Sequence, residues 1–509
     1  MLACRGWRCT RVVYVAIPKV CGIETEFGIH HAGGEDNPVA SSSLLVSAYV
    51  ADLLRVGWDF EDESPANDAR GFARNGSLAP EIETHLVNAV LTNGARYYVD
   101  HAHPEFSTPE CADPLEAVLY DKAGEEVLRR SMKAADRLLP PGQHIVVYKN
   151  NSDGKGNSYG THENYLMDRS VPFASIAHLV TTHFVTRQLF TGAGKVGTET
   201  PGRGGSDVVY QISQRAEFFE EEIGLETTLK RPIVNTRDEP HADPARFRRL
   251  HVIVGDANLC EVATFLKMGT TALVLALIED DAFGNVDLTL ASPVKAIRQV
   301  SYDTTLSLAL DLADGRSATA IDIQWELYGL AVKYAEDRGL SCLGDEAVGK
   351  EVLKRWEEAL HGLETDPSTL TGQVDWIAKL HLIEAYRDRH GLSWDDSRLA
   401  ALDLQYHDLR PERSLFSRLD TETLVDKDAV GEAVTEPPRR TRAYFRGQCL
   451  KRWSSSVVSA NWDSLVFDLG EDPLRRVPMM DPLRGTAAHT EELLDGSSSP
   501  LELLTLLGR

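Results

Sequence analysis

The chain has 509 residues, long enough for two or three average domains or for one large domain with an appendage. Hydrophobic residues make up 42% and charged residues 26%, without biased repeats, which excludes an intrinsically disordered chain. Lysine and arginine number 53 against 77 aspartates and glutamates, a formal net charge of −24; general binding to nucleic acid or to an anionic membrane is excluded, and any anionic ligand must meet a local cluster of basic residues.

Residues 1–17 read as an extension, disordered or a misassigned start. Their apolar stretch is too short to span a bilayer and lacks a clean cleavage site. No other window offers a run long enough for a membrane helix, so no membrane partner is expected. Seven cysteines, scattered without CxxC spacing, suit reduced thiols in a cytoplasmic protein rather than a disulfide framework or a zinc site.

In chain order, the pattern predicts a strand near Val20–Gly28, a helix over Ser41–Leu54, and a polar inserted loop near 58–80, longer than a passive connection. A strand over Leu91–Asp100 precedes an amphipathic helix over Leu115–Leu139. His144–Lys149 reads as a strand entering a polar turn, Asn150–Gly160. Ser175–Phe190 reads as helix, Gly192–Gly205 as a glycine-rich loop, Arg248–Val254 as strand, and Cys260–Glu279 as a buried helix. Ile321–Arg389 is mostly helical. The apolar-poor stretch Asp420–Arg440 marks a boundary between a large domain, 18–430, and a small C-terminal domain, 431–509.

Four segments concentrate chemistry. In Gly22-Ile-Glu-Thr-Glu-Phe-Gly28 the strand alternation puts Glu24 and Glu26 on one face, where paired carboxylates repel unless a cation lies between them. Hard oxygens at that spacing suit Mg²⁺; taken alone they equally suit a solvated strand. In Arg96-Tyr-Tyr-Val-Asp100 the same alternation aligns a guanidinium, a phenol and a carboxylate, a poor core stripe but a good site, and His101, His103 and Glu105 follow at once. Lys149–Tyr165 carries a glycine-rich turn and His162. Asn235–Asp243, with Arg246, Arg248, Arg249 and His251, and with Arg215, Lys230 and Arg231 nearby, is the local basic cluster that an acidic chain needs for an anionic ligand. Gly192-Ala-Gly-Lys195 lacks the spacing of a phosphate-binding P-loop, and Gly156-Asn-Ser-Tyr-Gly160 lies in a polar turn rather than between a buried strand and a helix, so neither is a nucleotide loop or a nucleophile elbow.

Together the motifs GIETEFG, NGARYYVDHAHPE, NSYGTHENY, NTRDEPHAD and RLHVIVGDAN resemble those of the Pup ligase/deamidase family, enzymes that act on the prokaryotic ubiquitin-like protein Pup and belong with glutamine synthetase to the carboxylate–amine ligases. The resemblance runs from about Gly22 to the end of the chain. Where the ligase typically reads Leu-Asp-Val-Gly-Ser-His-Pro-Glu, this chain reads Val99-Asp-His-Ala-His-Pro-Glu105, the shorter form of the deamidase/depupylase branch, and Glu61–Phe72 resembles that branch's extra loop.

The resemblance implies an α+β fold, a curved antiparallel sheet that cradles ATP and Mg²⁺ with helices packed on it, plus a small C-terminal domain. It implies Asp100 as the catalytic carboxylate. Glu24, Glu26, Tyr98 and Glu105, with His162 and His241, would hold Mg²⁺; Arg96, Thr108 and Trp462 would contact ATP; Arg215 and Arg237 would meet the glutamyl carboxylate of Pup. The implied activity is ATP/Mg-dependent hydrolysis of the C-terminal glutamine amide of Pup and of the Pup–lysine isopeptide bond in pupylated proteins, with a functional link to the bacterial proteasome. Two alternatives are a Pup–protein ligase working through a γ-glutamyl phosphate, and a non-catalytic Pup-binding proteasome adaptor.

Overall fold

A computed structural model describes residues 16–51, 56–61, 63–71, 87–199, 208–470 and 473–508. Most of the N-terminal extension, residues 72–80 of the inserted loop and residues 200–205 of the glycine-rich loop lie outside them.

The strands that build the site are β1 (Cys21–Glu26), β2 (Gly28–Ala32), β3 (Gly57–Trp58), β4 (Asn88–Val90), β5 (Arg96–Asp100), β6 (His103–Ser107), β7 (His144–Tyr148) and β8 (Thr161–Asp168). Ten strands form one sheet, in the order Phe247–Val252, β8, β1, β6, β5, β4, β3, Val457–Ala460, Ser464–Phe467, Arg475–Pro478. Neighbours are antiparallel except β3 and Val457–Ala460, which run parallel, so the expected antiparallel sheet contains one parallel seam. β2 and β7 pair separately, as a two-stranded antiparallel ribbon.

Alternation along β1 buries Cys21, Ile23 and Thr25 and leaves Gly22, Glu24 and Glu26 half-buried. The buried face packs under helices. Helix α1 (Pro38–Val50) starts where the Asn37 side chain accepts from Ala40 N at 3.1 Å. Helix α2 (Pro114–Ala135) starts where Asp113 accepts from Glu116 N at 2.8 Å, with Pro114 at its first position. The helix Glu261–Glu279 is buried along its whole length. By length and composition it is apolar enough to cross a membrane, which corrects the expectation that no window past the N-terminus would be. The core of the protein, not lipid, covers it.

Two further elements differ in their bounds from the sequence pattern. The strand expected over Leu91–Asp100 begins only at Arg96, because Asn93-Gly94 makes a turn: Gly94 takes φ 83° and Leu91 N donates to Ala95 O at 2.8 Å. The helix expected over Ser175–Phe190 runs Phe173–Thr186, and a short separate helix, Gln188–Thr191, follows.

The large apolar core gathers residues from Ala16 to Val434. A second cluster joins Val56, Trp58 and Val90 to Tyr444, Phe445, Leu465, Phe467 and Leu494. Between the two stands a largely buried ionic knot, in which Glu110 accepts from Arg442 Nε at 2.7 Å and is bridged by Arg446.

Candidate active site

The open face of the sheet collects Glu24 and Glu26 from β1, Tyr98 and Asp100 from β5, Glu105 from β6 and His162 from β8. Strand register sets Glu26 opposite Glu105, Glu105 opposite Tyr98, and Glu24 opposite His162. One carboxylate oxygen each from Glu26, Asp100 and Glu105 lies within 4.8 Å of the others. Tyr98 Oη donates to Glu105 and lies 3.5 Å from Ser107 Oγ.

Electrostatics divide these carboxyls. Burial, then the charges of Glu24, Asp100 and Glu26, push the Glu105 carboxyl well above the usual carboxylate range. Burial acts on Glu24 in the same sense, but the hydrogen bond and charge of His162, at 3.4 Å, and the charge of His251 outweigh it and hold Glu24 well below that range. Glu24 and Glu105 also share a hydrogen bond. A crowd of hard oxygens whose charges repel one another is the donor chemistry of a small divalent cation such as Mg²⁺.

The two histidines stand on different sides of Glu24. His162 packs edge-on against His251 with ring centroids 5.0 Å apart, and His251 Nδ1 lies 2.9 Å from Asn164 Oδ1. His241 takes a left-handed φ of 46° and lies 3.7 Å from Glu239. Burial, with Arg249, Arg442, Arg96 and Arg237 around it, pushes the His241 pKa well below its ordinary value, so the ring is neutral and able to act as a ligand.

Asp100 ends β5, and its side chain is 47% exposed. The two-residue turn His101-Ala102 returns the chain into β6, with Asp100 opposite His103. His101 adopts φ 52° and places Nδ1 3.0 Å from Asp100 Oδ1. His103 stacks on Tyr159, centroids 4.3 Å apart.

Two cavities meet at Glu24. The first is lined by Gly22, Thr108, His241, Arg249, Arg442 and Trp462 among others. Thr108 Oγ1 accepts from Ile23 N at 3.0 Å, and Trp462 packs edge-on against Trp58 at 5.2 Å. Its tryptophan wall and its two guanidiniums suit the base and phosphates of a nucleotide. Of the three residues expected on ATP, Thr108 and Trp462 line this cavity. Arg96 does not; its guanidinium lies 4.0 Å from the rings of both Trp58 and Tyr98.

The second cavity is lined by Glu26, Asp100, His162, Arg215, Arg231 and Arg237 among others. Arg215 is buried, yet its donors go to Ser158 Oγ at 3.2 Å and to the carbonyls of Ile253 and Gly255 rather than to an acid. Burial, then the neighbouring Arg231, lowers its pKa to about 10. Arg237 Nε is buried without a hydrogen-bond partner among the described residues.

The part of the inserted loop that is described folds onto the 235–239 segment. Ala69 N donates to Thr236 O at 2.8 Å, Asp238 N to Asn67 O at 2.9 Å, and Ser64 N to Glu239 Oε1 at 2.5 Å. Trp58 Nε1 donates to Glu63 at 2.6 Å, which ties the loop to the stack on Arg96.

Sequence reasoning did not assign Arg231, Arg249 or Arg442 to a cavity. The first two lie in the basic cluster it identified, and Arg442 stands two residues past Arg440, which ends the stretch that reads as a boundary.

The chain matches the family described as Pup-ligase protein over residues 19–466. It is 52% identical over 507 residues to the depupylase of Acidothermus cellulolyticus, a match that covers 96% of this chain and 99% of that protein. It is 46% identical over 510 residues to the Pup deamidase/depupylase of Mycobacterium tuberculosis, with the same shares covered. Its fold is similar to that of the ligase PafA in complex with Pup, with a TM-score of 0.79 at 32% identity over 96% of this chain and 94% of that one. It is also similar to the Pup ligase PafA in complex with ADP, with a TM-score of 0.73 at 33% identity over 86% and 98% of the two chains.

Proposed function

The chain belongs to the Pup-ligase family, and we propose that it is a member that breaks amide bonds: it deamidates the C-terminal glutamine of Pup and cuts the isopeptide bond between Pup and the lysine of a pupylated protein. The observation that carries the direction is the 52% identity, over nearly the full length of both chains, to a protein named as a depupylase.

The substrate enters the cavity of Asp100 with its γ-carbonyl toward the carboxylate cluster. Asp100, exposed and aimed by the His101 turn, supplies the nucleophile side of the reaction at that carbonyl carbon. Arg215 and Arg237 offer cationic donors to substrate oxygens in the same cavity. A water molecule's oxygen ends on the carbonyl carbon, the bond to nitrogen breaks, and a proton from that water goes to the nitrogen, so that ammonia or the lysine amine leaves and Pup ends in glutamate. Glu24, Glu26, Tyr98 and Glu105, with His162 and His241, would hold Mg²⁺. Thr108 and Trp462, joined by Arg249 and Arg442, would hold ATP beside it, with Arg96 as a further expected contact. When bound, the metal would supply the positive charge that polarises a carbonyl, and the nucleotide's phosphates would be further oxygen ligands to it. The five cysteines of the described residues are free and buried, which fits a reducing compartment, and we place the protein in the cytoplasm.

The test is direct. Incubation with Mg-ATP and Pup ending in glutamine, read by intact mass, should yield the glutamate form. Absence of that form sinks the hydrolase reading, and transfer of Pup ending in glutamate to a lysine-bearing protein would select the ligase instead, the activity of both structurally similar PafA chains.

A further inference from the structure

The loop that follows the edge strand Phe247–Val252, Val254-Gly255-Asp256-Ala257-Asn258, is buried and lines neither of the two cavities. Asp256 is a buried carboxylate, and among the described residues no lysine, arginine or histidine side chain stands within ion-pair distance of it. Neutral donors meet it instead. Ser213 Oγ donates to Oδ1 at 2.8 Å, and Gln214 N and Ala193 N donate to Oδ2 at 2.8 and 2.9 Å. Ser213 Oγ in turn accepts from Arg215 N at 3.0 Å and from Ala216 N at 3.1 Å, where the short 3₁₀ turn Ala216–Phe218 begins. A hydroxyl has one hydrogen and two lone pairs, so Ser213 is fully used. The same loop takes the other end of Arg215, whose Nη1 donates to Ile253 O and, at 3.2 Å, to Gly255 O. Lys267 Nζ fastens the loop to the buried helix, donating to Asp256 O at 2.8 Å and to Asn258 Oδ1 at 3.0 Å. A carboxylate buried without a counter-ion is costly, and neutral donors offset only part of that cost.

Resting on the function proposed above, we infer that Asp256 is a positioning residue of the reaction: through Ser213 it fixes the backbone of Arg215, and with it the place where that guanidinium stands in the Asp100 cavity. Asp256 itself touches no substrate. The geometry calls for a group that accepts on both oxygens, not for any group of that shape. An asparagine there would turn its NH₂ toward Ser213 Oγ, whose lone pairs are taken, or toward two backbone N–H groups, donor against donor. The loop would shift, and Arg215, tied to its carbonyls, would shift with it. None of the residues proposed to hold metal or nucleotide belongs to this loop or to Ser213–Ala216, so the displacement falls on the substrate side of the site.

The test is a double-mutant cycle between Asp256→Asn and Arg215→Met, read on single-turnover deamidation of Pup ending in glutamine and on equilibrium affinity for the same Pup. With Arg215 present, Asp256→Asn should slow deamidation at least about 30-fold and weaken Pup binding at least about 10-fold. In the Arg215→Met background it should change either by less than about 3-fold, because the group it acts through is gone. Ser213→Ala, which removes only the relay, should lose in the same direction and add little to Asp256→Asn. ADP affinity should stay within about 2-fold throughout, as for an independent site. The inference is overturned if Asp256→Asn costs the same factor with and without Arg215, which marks a general loosening of the core, or if it retains wild-type deamidation and affinity. If Asp256→Asn does not fold, the cycle is run with Ser213→Ala and the same outcomes decide. If wild type does not deamidate Pup, the hydrolase reading fails, and the affinity cycle alone decides whether Asp256 acts through Arg215; it decides likewise if Arg215→Met turns over too slowly to measure. Absence of Pup binding to wild type overturns the inference as well.

Discussion

Five non-glycine residues in the described chain have positive φ, and two of them, His101 and His241, stand at the site. Left-handed backbone costs an ordinary residue about 1–2 kcal/mol, so it persists where the surroundings hold it. At His101 the strain sets the direction of Asp100. His101→Gly should keep Asp100 aimed and retain kcat within a few-fold. His101→Val, with a β-branched side chain at that φ, should lower both Tm and kcat, and equal kcat in the two variants would show that the turn does not aim the carboxylate. Asp100→Asn should lower deamidation by about 10²–10⁴-fold with ADP affinity unchanged; full activity in that variant removes Asp100 from the reaction. At this scale the sequence is legible where chemistry is local. The period of a strand alone puts Glu24 beside Glu26, and Tyr98 and Asp100 on one face. Arg231 is legible only as a member of the basic cluster and Arg442 not at all, because what places each at a cavity is a partner about seventy residues away in one case, Ser158, and over three hundred away in the other, Glu110.

Elements carry the next layer. β8 begins one residue after Gly160, where a Cβ would fall inside contact distance of His162 Nε2 and 2.8 Å from Glu26 Oε1. Gly160→Ala should therefore displace the His162 ring while leaving the core intact. Mg²⁺ affinity, read by titration calorimetry, should fall at least about 10-fold with little change in Tm, as for loss of an outer-sphere support; a large fall in Tm with unchanged affinity would make Gly160 purely structural. The inserted loop clips onto Thr236 and Asp238 through backbone groups, contacts that pattern reasoning cannot register because they need no particular side chain, and onto the Glu239 carboxylate through Ser64 N. Helices were easier to read than strands. Glu261–Glu279 announces itself by apolar density, whereas β3 has two residues and no period to detect.

For the whole molecule, the knot at Glu110 joins the sheet to the C-terminal cluster. Burial would raise the Glu110 pKa, but Arg446 and Arg442 outweigh it and hold it at about 2. Against the ordinary value of 4.5, this corresponds to about 3 kcal/mol of stability. The folded pKa is depressed, so the contribution is fully present above about pH 4.5 and is lost as pH falls toward 2. Glu110→Gln should lower Tm at pH 7, and the gap to wild type should close over that acid window; a constant gap would mean that the arginines do not stabilise the ionised form. The α+β class and the glutamine synthetase-like sheet were legible from motifs spread along the chain. The parallel seam was not, since it joins residues about four hundred apart and only the folded chain brings them together.

That seam also fixes an order of events during synthesis. β3 is made early, but its partner, Val457–Ala460, is made about four hundred residues later, as are Trp462 and Arg442, two walls of the first cavity. At roughly 5–20 residues per second, the nascent chain waits on the order of tens of seconds with β3 as a bare edge. The first cavity is thus complete only once these residues have been made, so, if it is the seat of the nucleotide, a ribosome-stalled chain ending before Val457 should carry most of its core and yet fail to retain ADP.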